Sequence, residues 1–337
     1  MIVAIRAGLV IFAGVFSCIA AESIWNRYVN KDFNDFAGWF RNMATTYPSI
    51  TGMLYALSLP LGTPIYIVII GGFVAIIIGK SIFGGVGHNI FNPALVGRAF
   101  ITIAYAQTLG KAVKYTGFGS TDAIATASPL VKAAQEGALL SFDSFQAIYG
   151  SFWKLFFGLY PSALGESLSF WIIIAFIYLS IKKTIDWFVP VLYVGLVFLM
   201  TWFVALYNGL GTPLSEPFTL QTLALYFPIF HVLTGGLLFG AVFMATEPVT
   251  SPITRRGRAI FAIYLAIITF AIRVLGNLPE GVLYSILFMN MFVPVMDSFY
   301  MGQDRGITKK EWALWIVTIL LAIGVTFYTA VSLGGAA

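Results

Sequence analysis

The sequence predicts an all-α polytopic membrane protein of about ten helices, and three observations carry that prediction. Of its 337 residues, 59% are hydrophobic and 10% charged, against about a quarter charged in an ordinary soluble domain. The mean hydropathy is +0.89. So little polarity cannot clothe a water-facing surface, and lipid must be the solvent. Finally, the apolar residues gather into successive segments of the length that crosses a bilayer core.

In chain order these segments run roughly over 5–24, 65–80, 90–107, 167–181, 188–206, 228–246, 258–275, 282–298 and 312–334. A shorter tenth, roughly 50–62, ends at Pro60 and reads as an incomplete crossing. The first starts almost at Met1 but has no small-residue cleavage site leading into a soluble domain. It is therefore expected to stay as a helix rather than to be removed as a signal peptide. One cysteine, Cys18, excludes disulfides within the chain and a four-thiolate cluster made by the chain alone. Two histidines, His88 and His231, exclude a string of bis-histidine haems and read as packed side chains. The pI of about 9.2 comes from loop lysines and arginines without a basic stripe interleaved with aromatics, so nucleic acid is not an expected partner.

Basic loop residues mark the cytoplasmic side of a membrane. The strongest clusters are Lys182-Lys183, Arg255-Arg256 with Arg258, and Arg305 with Lys309-Lys310. Two predicted crossings separate each cluster from the next, so all three share one side. Threading backwards puts the turn at 84–89 inside, together with the stretch 25–49 and its Arg27, Lys31 and Arg41. The long segment 108–166 and both chain ends then fall outside.

Two stretches resemble each other. In the first, Thr51-Gly52 opens a helix ending near Pro60, followed by a helix, a Gly84-Gly85 turn, and Asn89 four residues before Pro93. In the second, Thr234-Gly235 lies in a helix ending near Pro248, followed by a helix, a Pro279-Glu280-Gly281 turn, and Asn290 four residues before Pro294. By the sidedness above, the copies run in opposite directions, an arrangement that holds polar ligands near the midplane. The chain is thus expected to be one membrane domain. Its repeat 1 covers about 5–181 with the external loop 108–166, and its repeat 2 about 188–334. The plainer reading is that Gly and Pro are simply common in membrane helices.

Four motifs in order carry a family resemblance. They are Gly84-Gly85-Val86-Gly87-His88-Asn89-Ile90-Phe91-Asn92-Pro93-Ala94, then Leu164-Gly165-Glu166. Next comes Phe243-Met244-Ala245-Thr246-Glu247-Pro248-Val249-Thr250-Ser251-Pro252, continuing through Arg255-Arg256-Gly257-Arg258. Last is Arg273 with Leu278-Pro279-Glu280-Gly281, Asn290 and Pro294. Over roughly residues 10–300 the chain resembles the RnfD/NqrB family, membrane proteins of the Rnf and Nqr complexes. The resemblance implies a ten-helix, two-repeat fold like that of urea channels, in the cytoplasmic (inner) membrane of a bacterium or archaeon. It implies a chain inactive alone, within a complex that couples NADH–ferredoxin or NADH–quinone electron transfer to Na+ or H+ movement. The partners would be further membrane and peripheral subunits, including iron–sulfur and flavin subunits, along with the lipid bilayer. The wording Thr250-Ser251-Pro252, and the lack of a long polar start, favour Rnf over Nqr. The resemblance also implies one more helix ahead of the first segment and an end soon after Asp297, whereas this chain instead adds the segment 312–334.

The family carries FMN by a phosphoester to the last hydroxyl residue of a stretch that matches Asp122-Ala123-Ile124-Ala125-Thr126-Ala127-Ser128-Pro129-Leu130. The resemblance therefore assigns covalent FMN to Ser128, flanked by Asp122 and Pro129. The usual residue is threonine, but a phosphoester needs only a hydroxyl, and Thr126 is the fallback acceptor. Read without the resemblance, this run is a Ser/Thr-rich turn in an external loop. Lys111, Lys114 and Lys132 flank it and can either contact phosphate or remain solvated. Some family members hold a second, non-covalent flavin, riboflavin, and nothing in the sequence pins a site for it. A flavin suits a chain with too few thiols and imidazoles to ligate several metals, because the isoalloxazine ring does the electron chemistry.

Ionisable groups at membrane depth are costly and usually functional. Arg98 and Arg273 are candidate flavin contacts. Glu247, Glu280, Asp297 and Glu166 are candidates for a cation path, because hard cations take oxygen ligands. The competing reading places them at interfaces, where carboxylates cap helix starts and arginines snorkel. No catalytic residue or metal ligand is assigned. A second function, a small-solute channel, follows from the inverted repeat alone and leaves only the run 122–130 unexplained.

Overall fold

The computed structural model describes residues 2–31, 35–111, 114–115, 124–125, 130, 139, 142, 152–158, 160, 162–210, 224–276, 281–300 and 308–334. Among the described residues the fold is all-α apart from two paired two-residue strands, β1 (Lys114–Tyr115) and β2 (Ile124–Ala125), which run antiparallel. Contacts divide the chain into two compact units, Met1–Ala127 with Pro161–Glu166, and Ser128–Tyr160 with Ser167–Ala337.

The first unit begins with α1 (Ile2–Trp25), prolonged by a π-helical turn at Asn26–Asn30 that stops where Lys31 turns left-handed. Its 24 residues reach about 36 Å, more than a hydrocarbon core of about 30 Å. One stripe, Ile5, Leu9, Phe12 and Phe16, is exposed, as a lipid-facing surface must be, while Val10, Cys18 and Ala21 are buried. Helix α2 (Phe36–Thr46) is capped by the Asp35 carboxylate, which accepts from the Gly38 N–H at 3.1 Å. After it come α3 (Pro48–Leu57), α4 (Ile65–Ile77), α5 (Pro93–Ala104) and α6 (Ala106–Lys111). Proline supplies the pre-set φ at the first positions of α3 and α5. In addition, Asn92 caps α5 by accepting from the Leu95 N–H at 3.2 Å. A Cβ at Gly52 of α3 would lie 2.6 Å from the Gly14 carbonyl oxygen and 2.7 Å from the Val15 Cα of α1. Only glycine there lets the two backbones meet.

The second unit contains α7 (Phe152–Phe156), α8 (Ser169–Ile181), α9 (Phe188–Tyr207), α10 (Tyr226–Leu233), α11 (Leu237–Met244), α12 (Arg255–Val274), α13 (Gly281–Asn290), α14 (Val293–Tyr300) and α15 (Lys309–Gly334). A core of Met200, Val204, Ile267, Phe270, Val274 and Ala330 joins α9, α12 and α15.

All ten apolar segments fall on helices, but not all make unbroken crossings. Among the described residues five helices are long and apolar enough to span a membrane, or seven if each bent pair counts as one span. The segments at 228–246 and 282–298, expected as single helices, are broken, with bends of 60° between α10 and α11 and 50° between α13 and α14. At the first break Gly235 and Gly236 take φ of +66° and +70°, which ends a right-handed helix. At the second, Pro294 cannot donate to the Asn290 carbonyl one turn back. Helices α3, α5 and α8 have 10, 12 and 13 residues, so even the longest reaches only about 20 Å.

Candidate functional site

Each unit buries one of the two predicted arginines, and each arginine does the same work. A helix end leaves its last carbonyls without partners and carries partial negative charge. In the first unit the end of α3 is such a place. The Leu57 carbonyl accepts from the Gly165 N–H at 2.7 Å and the Leu59 carbonyl from the Leu164 N–H at 3.0 Å. Between them, the Ser58 carbonyl accepts from the Arg98 guanidinium. Arg98 is held on α5 and is 4% exposed. Two of the sequence motifs, the one after Asn92-Pro93 and Leu164-Gly165-Glu166, thus converge on one helix terminus. Glu166 follows directly and is half-buried.

In the second unit Arg273 of α12, 7% exposed, reaches the end of α10. Its Nη1 donates to the His231 carbonyl at 2.7 Å, and its Nη2 to the carbonyls of Thr234 and Gly235 at 3.2 and 2.6 Å. A planar fork suits three converging carbonyls better than an ammonium would. Gly235 is glycine for two reasons: its φ is positive, and a Cβ would collide with Leu130 and come within 2.9 Å of the Arg273 guanidinium. Leu130, the last residue of the predicted flavin run, is buried in a cluster with Tyr160, Tyr226, Phe227 and Phe230. The His231 ring packs against Phe227 and Phe230 at 4.7 and 5.3 Å between centroids. Neither of its ring nitrogens has a hydrogen-bond partner among the described residues.

Two of the predicted carboxylates, Glu247 and Asp297, meet at a different place, the turn between α11 and α12. Glu247 is half-buried, and its Oε2 accepts from the Thr250 hydroxyl at 2.9 Å. The Thr250 carbonyl in turn accepts from the Asn290 side chain at 2.8 Å. Asp297 of α14 accepts from the Ile253 N–H at 2.9 Å. Two separated sequence motifs are thereby tied to one turn, and Asp297 serves the backbone there. Ser128, Thr126, Asp122, Pro129, Lys132 and Glu280 lie outside the described residues, as do the side chains of Lys111 and Lys114.

The structure adds a group that sequence reasoning passed over. Glu22 of α1 and Lys80, just after α4, form an ion pair at 2.8 Å with side chains 2% and 4% exposed. Lys80 also donates to the Thr46 carbonyl at 2.5 Å. Close by, Asn26 donates to Asn42 at 2.8 Å and accepts from Asn30 at 3.0 Å. The available signal was one acid in the apolar segment 5–24. Its partner was hidden because Lys80 looks like an ordinary residue at the end of a span. A second addition is the hydroxyl cluster of Tyr193, Thr269 and Ser285, with Tyr193–Thr269 at 2.5 Å and Thr269–Ser285 at 2.7 Å.

Known proteins resemble the chain over most of its length. The chain is 34% identical over 295 residues to the D component of the proton-translocating ferredoxin:NAD+ oxidoreductase complex of Clostridium ljungdahlii, covering 88% of this chain and 82% of that protein. It is 32% identical over 303 residues to the D component of the Na+-translocating ferredoxin:NAD+ oxidoreductase complex of Acetobacterium woodii, 88% of this chain and 81% of the relative. Against the B component of the Na+-translocating NADH-quinone reductase of Chromohalobacter salexigens it is 36% identical over 258 residues, 76% of this chain but 58% of that one. Residues 1–306, which end just ahead of α15, match the NQR2, RnfD, RnfE family throughout, and the chain belongs to that family.

Proposed function

We infer that this chain is the membrane subunit of an ion-translocating electron-transfer complex of the Rnf type, and that it carries FMN covalently on Ser128. The relatives named above are components of redox complexes that move H+ or Na+. Further subunits would bind NADH and ferredoxin, since no glycine-rich nucleotide motif follows a strand here. The flavin loop belongs on the face opposite the basic clusters, in a multi-pass protein of the cytoplasmic membrane. Two inverted repeats of a urea-channel-like, ten-helix fold are the architecture we assign. The recurrence in each unit of a short apolar helix whose last carbonyls are held by a buried arginine supports it.

The observation that carries the flavin reading is the site around Leu130. Two residues beyond Ser128, Leu130 is locked against Gly235, beside a buried cation and beside an imidazole that has no partner among the described residues. Tyr226, Phe227 and Phe230 exclude water there, His231 has one donor and one acceptor to offer, and Arg273 sets a positive field. A bound flavin would supply the electron-carrying ring, while the chain supplies position, charge and exclusion of water.

The test is to denature the purified chain, look for in-gel flavin fluorescence and map the modified peptide by mass spectrometry. We expect FMN on the peptide containing Ser128, and its loss in Ser128→Ala. FMN on Thr126 would keep the function and move the attachment site. A flavin-free chain from a host able to attach FMN would instead favour a solute channel on the same fold.

A further inference from the structure

Two cavities of the second unit are lined by neighbouring residues of α9. The first is polar, about 270 Å³, and sits where α8 ends and α9 and α12 begin. Lys183, Thr184, Asp186, Thr246, Ser251 and Arg258 line it. Within it Arg258 pairs with Asp186 at 2.7 Å, so the two charges offset each other. The Lys183 ammonium has no acidic partner among the described residues, and the cavity is left cationic. The second is an apolar groove of about 360 Å³ lined by side chains that include Ile172 and Phe176 of α8, Val191 and Phe198 of α9, and Leu238 and Val242 of α11. It starts one residue along α9 from the polar cavity, whose last α9 residue is Val189. From Val189 to Phe198 is about 14 Å of helix, close to half of a hydrocarbon core of about 30 Å.

The surroundings place the polar cavity at headgroup depth. Tyr178 and Trp187 are 60% and 53% exposed, as aromatic residues of a membrane interface are. Lys182 lies over the Tyr178 ring at 6.0 Å and Arg255 over Phe188 at 5.4 Å, so basic residues ring the mouth. A cationic, hydroxyl-lined pocket at the interface, with an apolar groove beginning at the next residue of α9, matches a single amphiphile with an anionic head. Another apolar groove, lined by α9, α12 and α15, has only apolar side chains and one threonine among its lining residues, and these offer no headgroup site.

We propose that this pair of cavities is a binding site for an anionic phospholipid, its phosphate in the Lys183–Arg258 cavity and one acyl chain along α9. The site is separate from the Leu130–Arg273 cluster, so it stands or falls independently of the flavin assignment. Gly195 gives a clean probe, because it lines the groove and a Cβ there meets no atom within 4 Å. Gly195→Phe should fill the groove without disturbing packing. Lys183→Asn removes the uncompensated charge at a position whose φ is +55°, which asparagine tolerates.

The experiment is native mass spectrometry of the delipidated full chain titrated with dioleoylphosphatidylglycerol, dioleoylphosphatidylcholine or inorganic phosphate. We expect one phosphatidylglycerol to bind in preference to phosphatidylcholine, about fivefold weaker in Lys183→Asn, and lost in Gly195→Phe. Equal binding of the two lipids, unmoved by Lys183→Asn, would mean only non-specific lipid and overturn the proposal. Displacement by inorganic phosphate, with binding intact in Gly195→Phe, would reduce the site to an anion pocket and overturn the lipid. Phosphatidylglycerol binding unchanged in Gly195→Phe, with loss of assembly in the whole complex, would assign the groove to a helix of a neighbouring protein instead.

Discussion

Arg98 and Arg273 put a charge where lipid makes charge expensive, and both compensate by donating to helix-end carbonyls. Removing the Arg273 fork strands three carbonyls, each costing about 1–3 kcal/mol when buried and unpaired. Arg273→Met should therefore lower the thermal unfolding midpoint of the detergent-solubilised chain strongly. Arg273→Lys should recover only part of it, because one ammonium cannot span the carbonyls of His231, Thr234 and Gly235 together. Full recovery by lysine would show that charge alone matters. The Glu22–Lys80 pair calls for a different comparison. Losing one partner leaves a buried charge, at a cost of about 3–5 kcal/mol, whereas losing both together costs much less. A double-mutant cycle of Glu22→Gln and Lys80→Met, read by chemical denaturation, should give a large coupling. Additive effects would mean that the two groups ionise independently.

At the scale of elements, breaks carry as much information as helices. The bends at Gly235-Gly236 and before Pro294 stop two apolar runs at mid-course. The backbone groups released at the first are the ones Arg273 collects, which is how irregular backbone survives at membrane depth. Close helix approach depends on small side chains in the same way. Gly52→Leu would force α3 away from Gly14 and Val15 of α1, and overpacking of this kind costs about 1–3 kcal/mol. We expect lower yield and a lower midpoint, while Gly8→Leu, where a Cβ meets nothing within 4 Å, should behave as wild type. Equal damage from both substitutions would point to the helix itself rather than to the α1–α3 contact.

For the molecule as a whole, the family match stops at residue 306 and α15 lies beyond it. That helix is nonetheless bound into the second unit. Glu311 pairs with Arg256 at 3.2 Å, Asn208 donates to the Ala330 carbonyl at 3.2 Å, and Ala330 is part of the α9–α12 core. A chain ending at residue 307 should unfold at lower temperature, and the flavin we propose on Ser128 should be unaffected, because no α15 residue belongs to the Leu130 cluster among the described residues. Loss of flavin on truncation, measured as flavin per protein by absorbance, would assign α15 a part in the site.

Much of this was readable from the chain alone. Hydropathy and charge scarcity identify the solvent as lipid, and the apolar segments 5–24, 188–206, 258–275 and 312–334 correspond closely to α1, α9, α12 and α15. The motifs identify the family, because they are sets of residue types in a set order. Arg98 and Arg273 stood out because a cation in an apolar run is conspicuous in any sequence. Their partners did not, since the acceptors are backbone carbonyls and a carbonyl has no letter of its own. The same holds for Glu22 with Lys80, 58 residues apart, and for the Tyr193, Thr269 and Ser285 hydroxyls. Whether an apolar run is one span or two half-helices likewise depends on φ at Gly235 and Gly236, which glycine leaves open in either direction. Packing against Leu130 and Arg273 selects the left-handed value, and only the folded chain brings those residues there.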